Sequence, residues 1–155
     1  MPTVNKIDLK QLAGYQEDFA LWSAEQAELI RSGKFDRVDL ENVAEEIESF
    51  GRSYKREIKN RLEVLLIHLL KWERQPEQRS RSWGSTIKTQ RRDILDLLDE
   101  SPSLRSLPSE VLAERYARAR EKASEETTIF LELFPAACPY TIEEVLDPEF
   151  WPGGK

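Results

Sequence analysis

The stretch VLLIHLL, residues 64 to 70, decides the fold. Wound as a helix it is apolar on nearly every side, and such a helix must be surrounded by other elements. It makes only about two turns, far short of the ~20 residues needed to cross a bilayer, so the surroundings are expected to be protein. Working outward, the same pattern runs through Leu40, Val43, Ile47, Phe50, Tyr54, Ile58, Leu62, Leu65, Leu69 and Trp72. Gaps of three and four keep these residues on one helix face. They predict a long central helix from Leu40 to about Arg74, opened by Asp39 as N-cap and ended by Pro76. Three consecutive gaps of four follow Phe50, a stutter that unwinds a heptad path locally. Gly51 stands beside them, and a glycine inside a helix costs on the order of 1 kcal/mol against alanine. One rod, or two helices meeting near Gly51, both fit the sequence.

Four further helical patterns flank this one. The first spans about Tyr15 to Arg31, with Tyr15, Phe19, Trp22, Leu29 and Ile30 on one face and Ser32-Gly33 as the stop. The third helix in chain order begins near Ser82 or Trp83 and ends near Glu100, carrying Trp83, Ile87, Ile94, Leu97 and Leu98 inward. Ser101-Pro102 marks the next turn, and a fourth helix runs to about Glu126 with Val111, Leu112, Tyr116, Ala119 and Ala123 inward. Pro108 fits its first turn, where a missing N–H costs nothing. After Phe134-Pro135 the chain is irregular, except that Thr141 to Glu144 reads as a capping box opening a short helix. No run alternates with the period of a strand. The expected fold is all-α: a single-domain helical bundle over residues 14–152 with a long central helix and an irregular C-terminal segment, an N-terminal arm at 1–13 and a tail at 153–155.

Composition narrows the class. Four Trp, six Phe and four Tyr in 155 residues exclude a disordered chain, which lacks aromatics. Six Gly with abundant Glu, Leu, Arg and Ala favour helix. Cys138 is the single cysteine; it can form no internal disulfide and no Cys-rich zinc site, and it suits a reducing compartment. MPTVNKIDLK at the start carries no apolar stretch long enough for a signal peptide. The expected compartment is the cytoplasm, with no membrane contact.

Charge is distributed unevenly. Residues 52 to 92 hold twelve Lys/Arg against four Glu, a balance of +8, whereas residues 1 to 51 balance at −6 and residues 93 to 155 at −8, which together give the chain's −6. Within the basic middle, Lys71, Trp72, Arg74, Arg79, Arg81, Trp83 and Lys88 crowd a helix–loop–helix corner. Guanidinium groups grip phosphate or carboxylate in pairs of hydrogen bonds, and a tryptophan face can receive a base or a cation. Lys71, Arg74, Arg79, Arg81 and Trp83 are therefore the candidate anion- or partner-binding residues. Against this, Trp72 and Trp83 lie on apolar stripes, where they serve as core, and the acidic outer segments are able to pair with the basic middle. The chain's negative total is unlike that of most nucleic-acid binders.

Other candidate chemistry is thin. His68 is the only histidine; as a general base it needs a carboxylate and a cleft, as a metal ligand it needs partners, and the Glu-x-x-His spacing of di-iron bundles is absent because Glu63 lies five residues before it. Glu41, Glu45, Glu46 and Glu48 crowd the start of the central helix, where acids meet the helix dipole favourably without a metal. Cys138 has no basic neighbour in sequence to lower its pKa. There is no phosphate-binding glycine loop, no G-x-S-x-G and no H-E-x-x-H. No catalytic residue, metal site or cofactor is expected.

Six strings carry a resemblance: YQEDFALW (15–22), GKFDRVDLENVAEEIESFGRS (33–53), HLLKW (68–72), QPEQRSRSW (75–83), SPSLR (101–105) and FPAACPY (134–140). Together they resemble the bacterial domain-of-unknown-function family 29 (DUF29), common in cyanobacteria and proteobacteria, over about residues 15 to 152. Pro108 stands where that pattern leads one to expect a helix-compatible residue. The resemblance implies an all-helical fold and no activity. Three classes of function follow: a protein-interaction or adaptor module, with a partner protein or a second copy of the chain as its target; a module binding nucleic acid or another polyanion through the Arg/Trp corner; and, third, an enzyme centred on His68.

Overall fold

The computed structural model describes residues 11–155, so most of the arm expected at 1–13 lies outside the described residues. Five α-helices follow in order: α1 (Phe19–Arg31), α2 (Leu40–Arg74), α3 (Arg81–Glu100), α4 (Leu107–Thr127) and α5 (Ile142–Leu146), with single 3-10 turns before α2, α3 and α4 and after α4. The described residues contain no strand, and the fold is all-α. No helix among them is long and apolar enough to cross a membrane.

Local chemistry sets the boundaries. α1 starts at Phe19 rather than near Tyr15, because the Asp18 side chain accepts from the Leu21 N–H and caps the helix there. Gly33 supplies the positive φ after its end. α2 passes through Gly51 unbroken. α3 starts one residue before Ser82, since Ser80 accepts from the Trp83 N–H at 3.2 Å. Pro108 sits in the first turn of α4, where no N–H is needed. Thr141 and Glu144 form the full capping box of α5.

The chain divides into two compact units, one reaching to Gly51 and the other running from Arg52 to Lys155. In the first, α1 meets the start of α2 through Asp39. Its N–H donates to the Gln26 side chain at 2.7 Å, and its carboxylate accepts from Trp22 Nε1 at 3.2 Å and from Asn42 Nδ2 at 2.8 Å. These bonds, that from Asn42 above all, hold the Asp39 carboxyl below the usual aspartate range. Trp22, Gln26 and Leu29 are buried, and the rings of Tyr15 and Trp22 meet edge-on at 4.8 Å. The sequence expectation fails for the first turns of α2. Leu40, Ile47 and Phe50 belong to the predicted inward stripe yet are about two-thirds exposed. Among the described residues of this unit α1 is the only other helix, and one helix covers only part of an apolar face.

In the second unit VLLIHLL lies where its pattern demands. Leu65, Leu66, Leu69 and Leu70 are wholly buried, and Ile67 nearly so. Around them pack Ile87 and Ile94 of α3, Val111, Tyr116, Ala119 and Ala123 of α4, Val145 of α5, and Phe134 and Tyr140 of the irregular segment. Each buried aliphatic or aromatic side chain contributes about 1.5–3 kcal/mol. Polar cross-links add specificity. Glu63 of α2, buried, meets Arg115, Arg118 and Lys122 of α4 at 3.1, 3.2 and 2.6 Å. The Tyr116 hydroxyl donates to the Pro135 carbonyl at 2.5 Å, and burial pushes its pKa up to about 12. Tyr140 donates to Glu73 at 2.5 Å. Arg120 holds the carbonyls of Leu131 and Phe134. The irregular C-terminal segment is thus fastened residue by residue.

Candidate functional site

The basic corner resolves into a groove along α3. Arg81, Ser85, Lys88 and Arg92 are spaced four, three and four residues apart and are all exposed, so they form one row on the helix surface. The row borders a groove of about 940 Å³. On one side stand Trp72 and Arg79 at the end of α2 and in the following loop; on the other stand Pro148, Glu149, Trp151 and Lys155 of the C-terminal segment. Ser80, Ser85 and Thr89 add hydroxyls to the lining. The α3 N-terminus adds the positive end of a helix dipole.

Charge favours an anion in this groove. Five cations line it (Arg79, Arg81, Lys88, Arg92 and Lys155) against one acid, Glu149. Lys155 pairs with Glu149 at 3.5 Å and Arg92 with Asp93 at 3.0 Å, both exposed contacts of little strength. Beneath the row lies Arg91, 2% exposed. Its Nε donates to Val145 O at 2.8 Å and its Nη2 to Phe150 O at 2.7 Å; burial lowers its pKa, opposed by the Asp147 charge. Arg91 therefore fastens the groove's C-terminal wall to α3.

Tryptophan faces in the site are occupied by the chain itself. The Trp72 indole N–H donates to Gly154 O at 2.8 Å, the Trp151 ring lies 4.8 Å from it, and the Arg79 guanidinium sits 5.0 Å from the Trp72 ring. Arg91 lies 5.7 Å from the Trp151 ring.

The five residues singled out in the sequence part company. Arg79 and Arg81 both line the groove. Arg79, however, is committed: Nε donates to Trp72 O at 2.8 Å, and Nη2 reaches Pro152 O and Gly153 O at 3.4 and 3.5 Å. Arg81 is exposed, and its side chain enters no hydrogen bond or ion pair among the described residues. Lys71 and Trp83 stand outside the lining and stack on each other at 4.6 Å, with Lys71 also paired to Glu126 at 3.0 Å. Arg74 is exposed, outside the groove. Arg92, Lys155 and Trp151 were missed. The four-three-four spacing within α3 would have found Arg92, whereas nothing in the sequence brings Trp151 and Lys155 back to this face.

The remaining candidates are placed as follows. The His68 ring nitrogen Nδ1 lies 2.8 Å from Val64 O in its own helix, and burial pulls its pKa down; no carboxylate hydrogen-bonds it among the described residues. Cys138 is half-buried, its thiol directed to Tyr140 O at 3.4 Å, and burial pushes its pKa up. Glu46 accepts from the Tyr15 hydroxyl. The described residues contain no group of three or more His, Cys, Asp or Glu able to hold a metal ion.

Comparison with known proteins gives one match. No curated protein matches the chain. No solved structure matches it. The family model described as "Domain of unknown function DUF29" matches residues 14–151, nearly the whole chain. The chain belongs to the DUF29 family.

Proposed function

We propose that this chain is a cytoplasmic protein-interaction module whose groove on α3 seats an acidic segment of a partner protein. The observation that carries the reading is the exposed row Arg81–Lys88–Arg92 above a wall built from the chain's own tryptophans. Those residues are seven and four positions apart, so the row extends about 16 Å along the helix, the reach of several carboxylates in succession. The half-buried lone thiol of Cys138 suits a reducing compartment. A single-stranded nucleic acid would need free aromatic faces for its bases, and here Trp72 and Trp151 are covered by each other and by Arg79 and Arg91. That favours a carboxylate-rich polypeptide over stacked bases.

The test is fluorescence anisotropy with a labelled Asp/Glu-rich decapeptide and, in parallel, single-stranded DNA. The peptide is expected to bind, with an affinity that falls as salt screens the groove. The triple variant Arg81→Ala/Lys88→Ala/Arg92→Ala is expected to weaken it tenfold or more at an unchanged melting temperature. Arg79→Ala, by contrast, is expected to lower the melting temperature, because its bonds are internal. DNA bound more tightly than the peptide at the same residues would turn the reading to nucleic acid; equal binding by wild type and triple variant would overturn it.

A further inference from the structure

The first unit carries a second groove, of about 490 Å³ and of opposite chemistry. α1 contributes Trp22, Ala27 and Ile30 to it, and the start of α2 contributes Val43, Ile47 and Phe50. The residues span eight positions on α1 and seven on α2, so each wall runs about 10–12 Å, two helical turns. Among the described residues, Glu46 is the only charged one in the lining. Ile47 is 69% and Ile30 42% exposed, whereas Trp22 and Leu29 of the same unit are buried. Aliphatic side chains are thus presented to water from both walls, beside a core that is already closed.

We propose that this groove docks an amphipathic helix of a partner protein, apolar on one face and flanked by Lys and Arg. Two helical walls with a row of apolar side chains on each form the trough that a third helix fills, reading its residues at i, i+3 or i+4, and i+7. The charge of the occupant follows from the net charge of the part of the chain that carries the trough. Residues 1 to 51 hold eleven acids and five bases, while residues 52 to 155 hold eighteen of each, so the first 51 residues carry the whole net −6 of the chain. A basic helix is drawn to that field and an acidic one repelled. The same field opposes a symmetric pair of chains joined through this face, because it would bring two acidic units together. This surface is independent of the α3 groove and stands if that reading fails.

The test is a display selection on the full chain using twelve-residue helical peptides, with leucine fixed at positions 2, 5, 6 and 9 and the flanking positions randomised. Lys and Arg are expected to be enriched over Asp and Glu at the flanks. The best peptide is expected to bind Ile47→Glu at least tenfold more weakly than wild type by anisotropy, at an unchanged melting temperature. Ile30→Ser serves as the second variant should Ile47→Glu melt early, and is expected to weaken binding several-fold. The Arg81/Lys88/Arg92 triple alanine is expected to keep full affinity, which separates the two surfaces. No enrichment, acidic flanks, or undiminished binding by both variants would overturn the proposal. So would a concentration-dependent dimer in sedimentation that Ile47→Glu dissolves, since the occupant would then be a second copy.

Discussion

Glu63 shows what a single residue does in this fold. The residue is 4% exposed, and its carboxylate meets three cations of α4. Burial alone would raise its pKa; hydrogen bonds from Lys122 and Arg115 and the charges of Lys122 and Arg118 outweigh it and hold the carboxyl below the ordinary glutamate range. A folded-state pKa below the unfolded one contributes stability that is complete above the unfolded value, about 4.3, and is lost as pH falls through the folded value. Glu63→Gln removes the charge and leaves buried Arg115 with only the exposed Glu114 at 3.6 Å as its acid, so it is expected to cost about 3 kcal/mol at neutral pH, the low end for a broken buried pair. Urea titrations of both proteins from pH 7 down to pH 3 check this: the gap should narrow on the acid side, and a gap independent of pH would show that the charge is not the cause. None of this was legible in the sequence, because Glu63 and Arg115 lie 52 positions apart and pattern reading sees only neighbours three or four residues away. The same blindness put Arg79 and Arg81 on an equal footing. One is bound to the Trp72 carbonyl and to carbonyls of the C-terminal tail and the other is exposed, a difference set in part by residues more than seventy positions downstream.

At the level of elements the sequence was far more readable, since caps and stops are local. Asp39 and Thr141 act where short-range chemistry places them, Pro108 falls in a first turn, and Ser80 caps α3 slightly ahead of the start expected near Ser82 or Trp83. Tyr15 was misassigned to α1 because periodicity continues through Gly14–Asp18 while the Asp18 cap fixes the start at Phe19. The apolar stripe of α2 was read correctly as a stripe, but periodicity identifies an apolar face without saying what covers it. Leu40, Ile47 and Phe50 are exposed for that reason. Gly51 gives the element its own test. α2 is helical through it, and a Cβ built there meets nothing within 4 Å. Gly51→Ala then removes the backbone-entropy cost of glycine without steric conflict, and is expected to stabilise the chain by about 0.5–1 kcal/mol. A higher urea midpoint with an unchanged slope is the expected result. A lower midpoint would mean that the chain depends on a bend at this position.

Among the described residues, the main apolar cluster lies in one part of the chain, apart from Trp22 and Leu29 buried in the first unit. The buried cluster begins at Ile58 and ends at Val145, gathering residues of α2, α3, α4, α5 and the irregular segment. The ion cluster at Glu63, the Arg91 bonds to Val145 and Phe150, and the Arg79 bonds to Trp72 and the tail all lie within residues 52–155. Residues 52–155 also balance in charge, eighteen acids against eighteen bases. A chain of about 100 residues is large enough to bury its own core. A fragment starting at Arg52 keeps the remaining turns of α2, including VLLIHLL. It is therefore expected to show a helical circular-dichroism spectrum and a single cooperative urea transition. The sharper measurement places Leu69→Ala in both the fragment and the full chain. Leu69 is wholly buried, and its truncation is expected to cost about 2–5 kcal/mol. Because the neighbours of Leu69 in the cluster are all retained, the loss should be the same in the two backgrounds within about 0.5 kcal/mol. A fragment that melts without cooperativity, or one in which Leu69→Ala costs nothing, would show that residues before Arg52 are part of the same core.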